Sequence, residues 1–309
     1  MKTSKLVPAL GLALALWAAG AAAQTRVTVA YTAVSEFMPL FVAKERGFFA
    51  KRGLEVTPQQ LALSGVMPAA LQSGSVQIAG VASPVLLQAN DSGMDLVGLA
   101  GTSIHSQSSR SIGLVVRNGG GVKSAADLVG KKIAVPGLNA ALHIIGRKWL
   151  ADQGVDTRKV TFVEGAFPQM GDLLKGGSID AAVTADPFLG RIVQSGAGTL
   201  LSPLAPDLPA GFSNMLYMST RAWQQQHGQA IEGFRAALAE ALEFAAANPE
   251  TARADMGKYL KVPAPVLASL AVPVYKVPLA SGELQFWADT MRQQGMLRKT
   301  PDLAAMVAK

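Results

Sequence analysis

The chain of 309 residues contains no cysteine and only three histidines. The missing cysteine excludes disulfides, thiol nucleophiles, thiolate zinc sites, iron–sulfur ligation by cysteine and a lipid anchor on an N-terminal cysteine. The histidines, at 105, 143 and 227, are too scattered for a zinc receptor. Charged residues make up only 16% of the sequence and form no run of Lys or Arg, so no nucleic-acid-binding face is expected. Neither G-x-S-x-G, H-E-x-x-H, G-x-x-x-x-G-K-[ST] nor a G-x-G-x-x-G after a strand occurs. Without a nucleophile and base, a metal set or a cofactor cradle, the expectation is a binding protein with no cofactor and no enzymatic activity.

What is present begins with an export signature. Lys2 and Lys5 precede an uncharged run from Leu6 to Ala23 that ends in three alanines. This pattern predicts a secretory signal over 1–23, cleaved after Ala23, and a periplasmic destination. Removal leaves 309 − 23 = 286 residues, above the ~250 at which one core usually divides, so two domains are expected. The net charge of +7 loses Lys2 and Lys5 and becomes +5, a modest bias toward anionic ligands. No second apolar stretch approaches a membrane span.

The sequence also repeats itself. Gly74-Ser75-Val76-Gln77-Ile78-Ala79-Gly80-Val81-Ala82-Ser83-Pro84 aligns without a gap on Gly177-Ser178-Ile179-Asp180-Ala181-Ala182-Val183-Thr184-Ala185-Asp186-Pro187. Gly65 to Pro68 similarly echoes Gly165 to Pro168. Each long copy reads as a turn, a short buried strand and a loop, which predicts two lobes of like plan with a ligand site between them. Strand-like runs at Arg26 to Tyr31, Leu54 to Val56 and Ser75 to Val81 alternate with helical ones, and the pattern returns at Lys132 to Val135, Val160 to Val163 and Ile179 to Val183. Alternation of this kind predicts an α/β fold, each lobe a mainly parallel sheet flanked by helices. The polar stretch Thr102 to Arg110 and the strand Phe212 to Ser219 are read as the two hinge crossings. Helices over Gln229 to Ala247, Thr251 to Leu260 and Ser281 to Gln294 bring no strands of their own and are expected to cover the first lobe. The expected division is 24–108 plus 219–309 for lobe 1, and 109–218, hinge strands included, for lobe 2.

Three segments together resemble a known family: Ala43-Lys44-Glu45-Arg46-Gly47-Phe48-Phe49, Leu71 to Ala79, and Ala126-Asp127-Leu128-Val129-Gly130-Lys131-Lys132-Ile133-Ala134-Val135-Pro136. Their order and spacing are similar to those of periplasmic substrate-binding proteins of ABC importers, in the branch that takes sulfonates, taurine, nitrate, aromatic acids and thiamine precursors. The resemblance implies a two-lobed, type II-like binding protein that closes over a small ligand and delivers it to a permease and its ATPase subunit, working as a monomer. The ligand it favours is a small organic anion, a sulfonate or an aromatic or aliphatic carboxylate. Alternatives are a thiamine-pyrimidine precursor or nitrate, and a receptor for an ion-driven transporter or a sensor. A pyrimidine-synthesising enzyme is a further branch, but it carries a Cys-rich motif that this chain lacks.

Ligands of such sheets bind beyond the carboxyl ends of the strands, so the candidates lie in the loops that follow them. Ser35, Phe37 and Met38 follow the first strand. Ser83 and Asp186 occupy paired positions in the two copies of the repeat. Asn139 and Ala140 open a helix after a flexible Gly137, and Phe167 and Gln169 head another. His105 and Arg110 lie in the first crossing, Arg110 as counter-charge for an acid, and Asn214 lies in the second.

Overall fold

The computed structural model of the protein describes residues 24–309; the expected signal segment, 1–23, lies outside them. Among the described residues no helix is long and apolar enough to cross a membrane.

Two sheets organise the chain. From edge to edge the first contains Val274–Tyr275 (β11), Leu96–Ile104 (β4), Ser213–Thr220 (β10), Ile78–Ala82 (β3), Thr25–Tyr31 (β1) and Leu54–Gln60 (β2). The second contains Thr161–Glu164 (β7), Lys132–Val135 (β6), Ala181–Ala185 (β8), Ile112–Arg117 (β5) and Gly198–Pro203 (β9). In the first, β1 runs parallel to β2 and β3; in the second, β6 runs parallel to β7 and β8. An antiparallel strand follows in each, β10 beside β3 and β5 beside β8. The lobes therefore share one plan. Parallel pairing is confined to the β-α-β units, and both sheets are mixed because strands that carry the chain between lobes enter in the opposite direction. β10 is bonded on both sides within the first sheet, so residues 213–218, grouped with lobe 2 in the sequence reading, are paired in lobe 1.

The repeat corresponds to β3 and β8, the same strand of each plan. Both are buried at every position. Helices on the two faces of a parallel unit leave such strands no solvent side, and so their sequences are continuously apolar rather than alternating. Gly80 in β3 serves a close approach: a Cβ there would lie 2.4 Å from Cε1 of Phe37. Gly146 serves similarly in the second lobe, where its helix lies against Val183 of β8.

The helices Met38–Glu45, Gly228–Ala247 and Pro249–Leu260 cover the first sheet. The second buries Ile231, Phe234, Leu238, Ala241 and Ala245, spaced three and four residues apart so that they form one stripe. Phe234 stacks on Phe49 with ring centres 5.4 Å apart. Arg46, just beyond the first helix, grips the buried Asp255 of the third with two hydrogen bonds, one of them Nε to Oδ2 at 2.7 Å.

The last helix, Gln285–Gln293, lies elsewhere than over the first lobe alone. It packs on both Ser83–Asp91 of the first lobe and Ala141–Asp152 of the second. Its Trp287, Ala288 and Met291 share one apolar cluster with Leu87, Ile144, Ile145 and Phe212. The amphipathic period that reveals this helix specifies a buried face but not which neighbour buries it.

The two crossings run side by side. His105 donates its backbone N–H to Phe212 O at 2.8 Å, and Gly211 N–H donates to His105 O at 2.9 Å.

Candidate ligand-binding cleft

Between the sheets lies a cavity whose walls come from both lobes. The first contributes Thr32, Val34 and Glu36 after β1, Ala62 and Ser64 after β2, and Ala82 at the end of β3. The second contributes Pro136 and Ala140 after β6, the first turn of helix Ala141–Asp152, Phe167 after β7, and Ala185 at the end of β8. The crossings supply His105, Ser109, Ser111, Asn214 and Met215, and Trp287 closes one side. These positions are the carboxyl ends of the parallel strands, where such sheets bind ligands.

Four of the expected residues meet at this cavity: His105, Ala140, Phe167 and Asn214. Phe167 stacks on Phe188 at 5.5 Å, which fixes its ring in the wall. His105 is buried and lies flat against Phe212, ring centres 4.6 Å apart. Its Nε2 is 2.9 Å from Ala205 O. A carbonyl only accepts, so Nε2 carries the proton. Burial holds the ring below its usual pKa, and the side chain of Asn214 also hydrogen-bonds to it.

The other expected residues lie close by but face elsewhere. Phe37 is fully buried over Gly80 and Tyr217, and Ser35 gives its carbonyl to the Tyr275 hydroxyl at 2.9 Å. Met38 is buried toward helices of the first lobe. Ser83 donates to Ser213 O at 2.8 Å and is closed to solvent. Asn139 uses its backbone N–H on His143, whereas the next residue, Ala140, reaches the cavity. Gln169 is exposed. Arg110 is exposed at an adjoining recess of the mouth, and its Nη1 donates to Gln107 O and Ser109 O of its own loop. Asp186 follows the lining Ala185; its Oδ1 accepts the N–H of Gly190 at 3.2 Å.

Sequence reasoning missed Glu36 and Trp287. Glu36 sits between two candidates in the turn Ser35–Phe37 and lines the cavity; its carboxyl is raised by burial and by the nearby Asp186. Burial likewise raises Asp186. Trp287 donates Nε1–H to Ser213 O at 2.7 Å. No Lys or Arg is among the residues that line this cavity, and no group of metal-ligating side chains occurs among the described residues.

The profile of the NMT1/THI5-like family matches residues 34–252, which include β2 and β3 of the first parallel unit, the whole of the second and both crossings. The chain belongs to the NMT1/THI5-like family. Among solved structures, the alkanesulfonate-binding protein SsuA from Xanthomonas axonopodis pv. citri, bound to MOPS, superposes with a TM-score of 0.80 at 20% identity, covering 93% of this chain and 99% of that one. The periplasmic nitrate-binding protein NrtA of Synechocystis PCC 6803 gives a TM-score of 0.76 at 19% identity, covering 91% and 84%. These likenesses establish the two-lobed binding-protein fold. Two curated relatives match in part. The nitrate import ATP-binding protein NrtC of Synechocystis is 24% identical over 246 residues, 74% of this chain and 36% of its own length. The 4,5-dihydroxyphthalate decarboxylase of Pseudomonas putida is 26% identical over 140 residues, 42% of this chain and 53% of its own. The chain thus spans about a third and about half of the lengths of these two curated relatives.

Proposed function

We propose that this protein is an extracytoplasmic receptor that encloses a small organic solute between its lobes and delivers it to an ABC permease and ATPase. The observation that carries the reading is the cavity between the sheets, built from strand-end loops of both lobes and joined to two side-by-side crossings. A solute that touches both walls binds the closed arrangement better than an open one, and that difference is what a transporter can read. The proposed solute is a sulfonate or carboxylate, in keeping with the sulfonate and nitrate named for its relatives. Its acid group would be met by the unpaired N–H groups at the start of helix Ala141–Asp152 and by the hydroxyls of Ser64, Ser109 and Ser111.

The test is calorimetric titration of the chain from residue 24, unfolded and refolded to strip bound solute. The panel comprises alkanesulfonates, taurine, nitrate, benzoate and phthalate acids including 4,5-dihydroxyphthalate, and hydroxymethylpyrimidine. Micromolar or tighter binding of one class is expected, lost in Ala140→Trp, which fills the cavity from a loop. Chemical consumption of any panel member, or binding undisturbed by Ala140→Trp, would overturn the receptor reading.

A further inference from the structure

The polar side chains that face the cavity are unevenly distributed in kind. Among the described residues Glu36 has one side-chain hydrogen bond, a long one of 3.5 Å from Ser35 Oγ, and forms no ion pair. Asp186, from the opposite lobe, has no ion pair among the described residues either; the one hydrogen bond of its side chain there is from the Gly190 N–H. Thr32 is only 7% exposed, lines the cavity, and has no hydrogen-bond partner for its side chain among the described residues. Asn214 lines the cavity too, and its side chain hydrogen-bonds to the buried His105 ring.

One wall therefore presents a carboxylate and an unpartnered hydroxyl beside the Asn214 amide, and a second carboxylate, Asp186, follows the lining Ala185 of the opposite lobe. Resting on the receptor reading above, we infer that Thr32 and Glu36, with the Asn214 amide beside them and Asp186 just behind Ala185 in the opposite lobe, form a subsite for a hydrogen-bond-donating group of the solute: an ammonium, another N–H group or a hydroxyl. Two carboxylates brought together by lobe closure repel each other unless something of opposite character lies between them. A donor on the solute meets both and makes closure favourable. A solute carrying only an acid would leave these acceptors desolvated and unpaired, which is how a site built for donors rejects an analogue that lacks one. The class of solute is then an organic acid that also carries a donor.

The experiment compares probes that share a skeleton and differ in the donor: taurine against ethanesulfonate, and 4-aminobenzoate against benzoate, titrated into the protein by calorimetry. The donor-bearing member is expected to bind at least tenfold more tightly. Glu36→Gln should cut that advantage at least tenfold while changing the affinity for the donor-free member less than threefold. If donor-free and donor-bearing members bind the wild type equally, the subsite is overturned and the receptor reading stands. If Glu36→Gln weakens both members alike, the subsite is also overturned. If no member of either pair binds, the receptor reading falls for these acids and the subsite with it. Should Glu36→Gln fail to fold, the wild-type preference alone decides.

Discussion

The backbone N–H of Asn139 donates to Nδ1 of His143 at 2.8 Å, and Asn139 itself adopts a left-handed φ of 63°. Asn is among the few residues that accept that conformation without large cost. An Nδ1 that accepts must be unprotonated, so the proton of this buried ring is on Nε2. Burial and the nearby Arg147 push the His143 pKa down to about 4. The relationship fixes the loop that delivers Ala140 to the cavity.

Acid should therefore loosen this corner. An unfolded His charges near pH ~6.5, whereas the folded ring stays neutral until about pH 4. Between those values the unfolded chain binds the extra proton, so the stability contributed by the neutral ring is complete above ~6.5 and is lost as the pH falls through the window. His143→Gln keeps an acceptor for Asn139 and removes the titration. Urea unfolding at pH 7 and pH 4.5 should show the wild type losing about 2 kcal/mol more than the variant. Carboxylates with raised pKa, such as Glu36 and Asp186, act equally in both proteins and cancel. Equal losses would show that His143 is not the titrating group.

Gly80 and Phe37 form a second testable pair. Gly80→Ala places a methyl group within the Phe37 ring, which is fully buried and has nowhere to move. Overpacking of this kind costs about 1–3 kcal/mol. Phe37→Leu opens space at the same point, and the double variant should recover at least half of the loss. Simple addition of the two single effects in denaturant melts would refute the packing account.

The carbonyl of Ser213 accepts from both Ser83 Oγ and Trp287 Nε1. Either donor alone keeps this buried oxygen satisfied, so Ser83→Ala should cost only about 1 kcal/mol. Removing both with Ser83→Ala and Trp287→Phe orphans it. The double variant should lose about 1–2 kcal/mol more than the sum of the singles. Additive effects in thermal or urea melts would mean that water replaces the missing donors.

The internal repeat made the shared plan of the lobes legible, because β3 and β8 must be apolar on both faces and bracketed by turns wherever they occur. The site was legible to the residue at His105, Ala140, Phe167 and Asn214, and elsewhere only to the loop. Ser35–Phe37 is a 3₁₀ turn, in which successive side chains point about 120° apart. Glu36 consequently faces the cavity while Ser35 and Phe37 face the core, and no period in so short a segment reveals which. The same one-residue displacement separates Asp186 from Ala185, while of the expected pair Asn139 and Ala140 only the second lines the cavity. Trp287 escaped for another reason: its place depends on two helices distant in sequence, each contributed by a different lobe.

That shared helix constrains how solute gets in. Parting the lobes widely would expose Trp287, Leu87 and Phe212, all buried, and each large apolar side chain returned to water costs about 1.5–3 kcal/mol. Opening therefore carries an apolar cost of its own, which enclosed solute adds to, and the mouth beside Ser109 and Arg110 borders the cavity that opening uncovers. In a receptor braced this way, bulky substitutions at that mouth would slow capture and release together, and leave the equilibrium between them largely untouched.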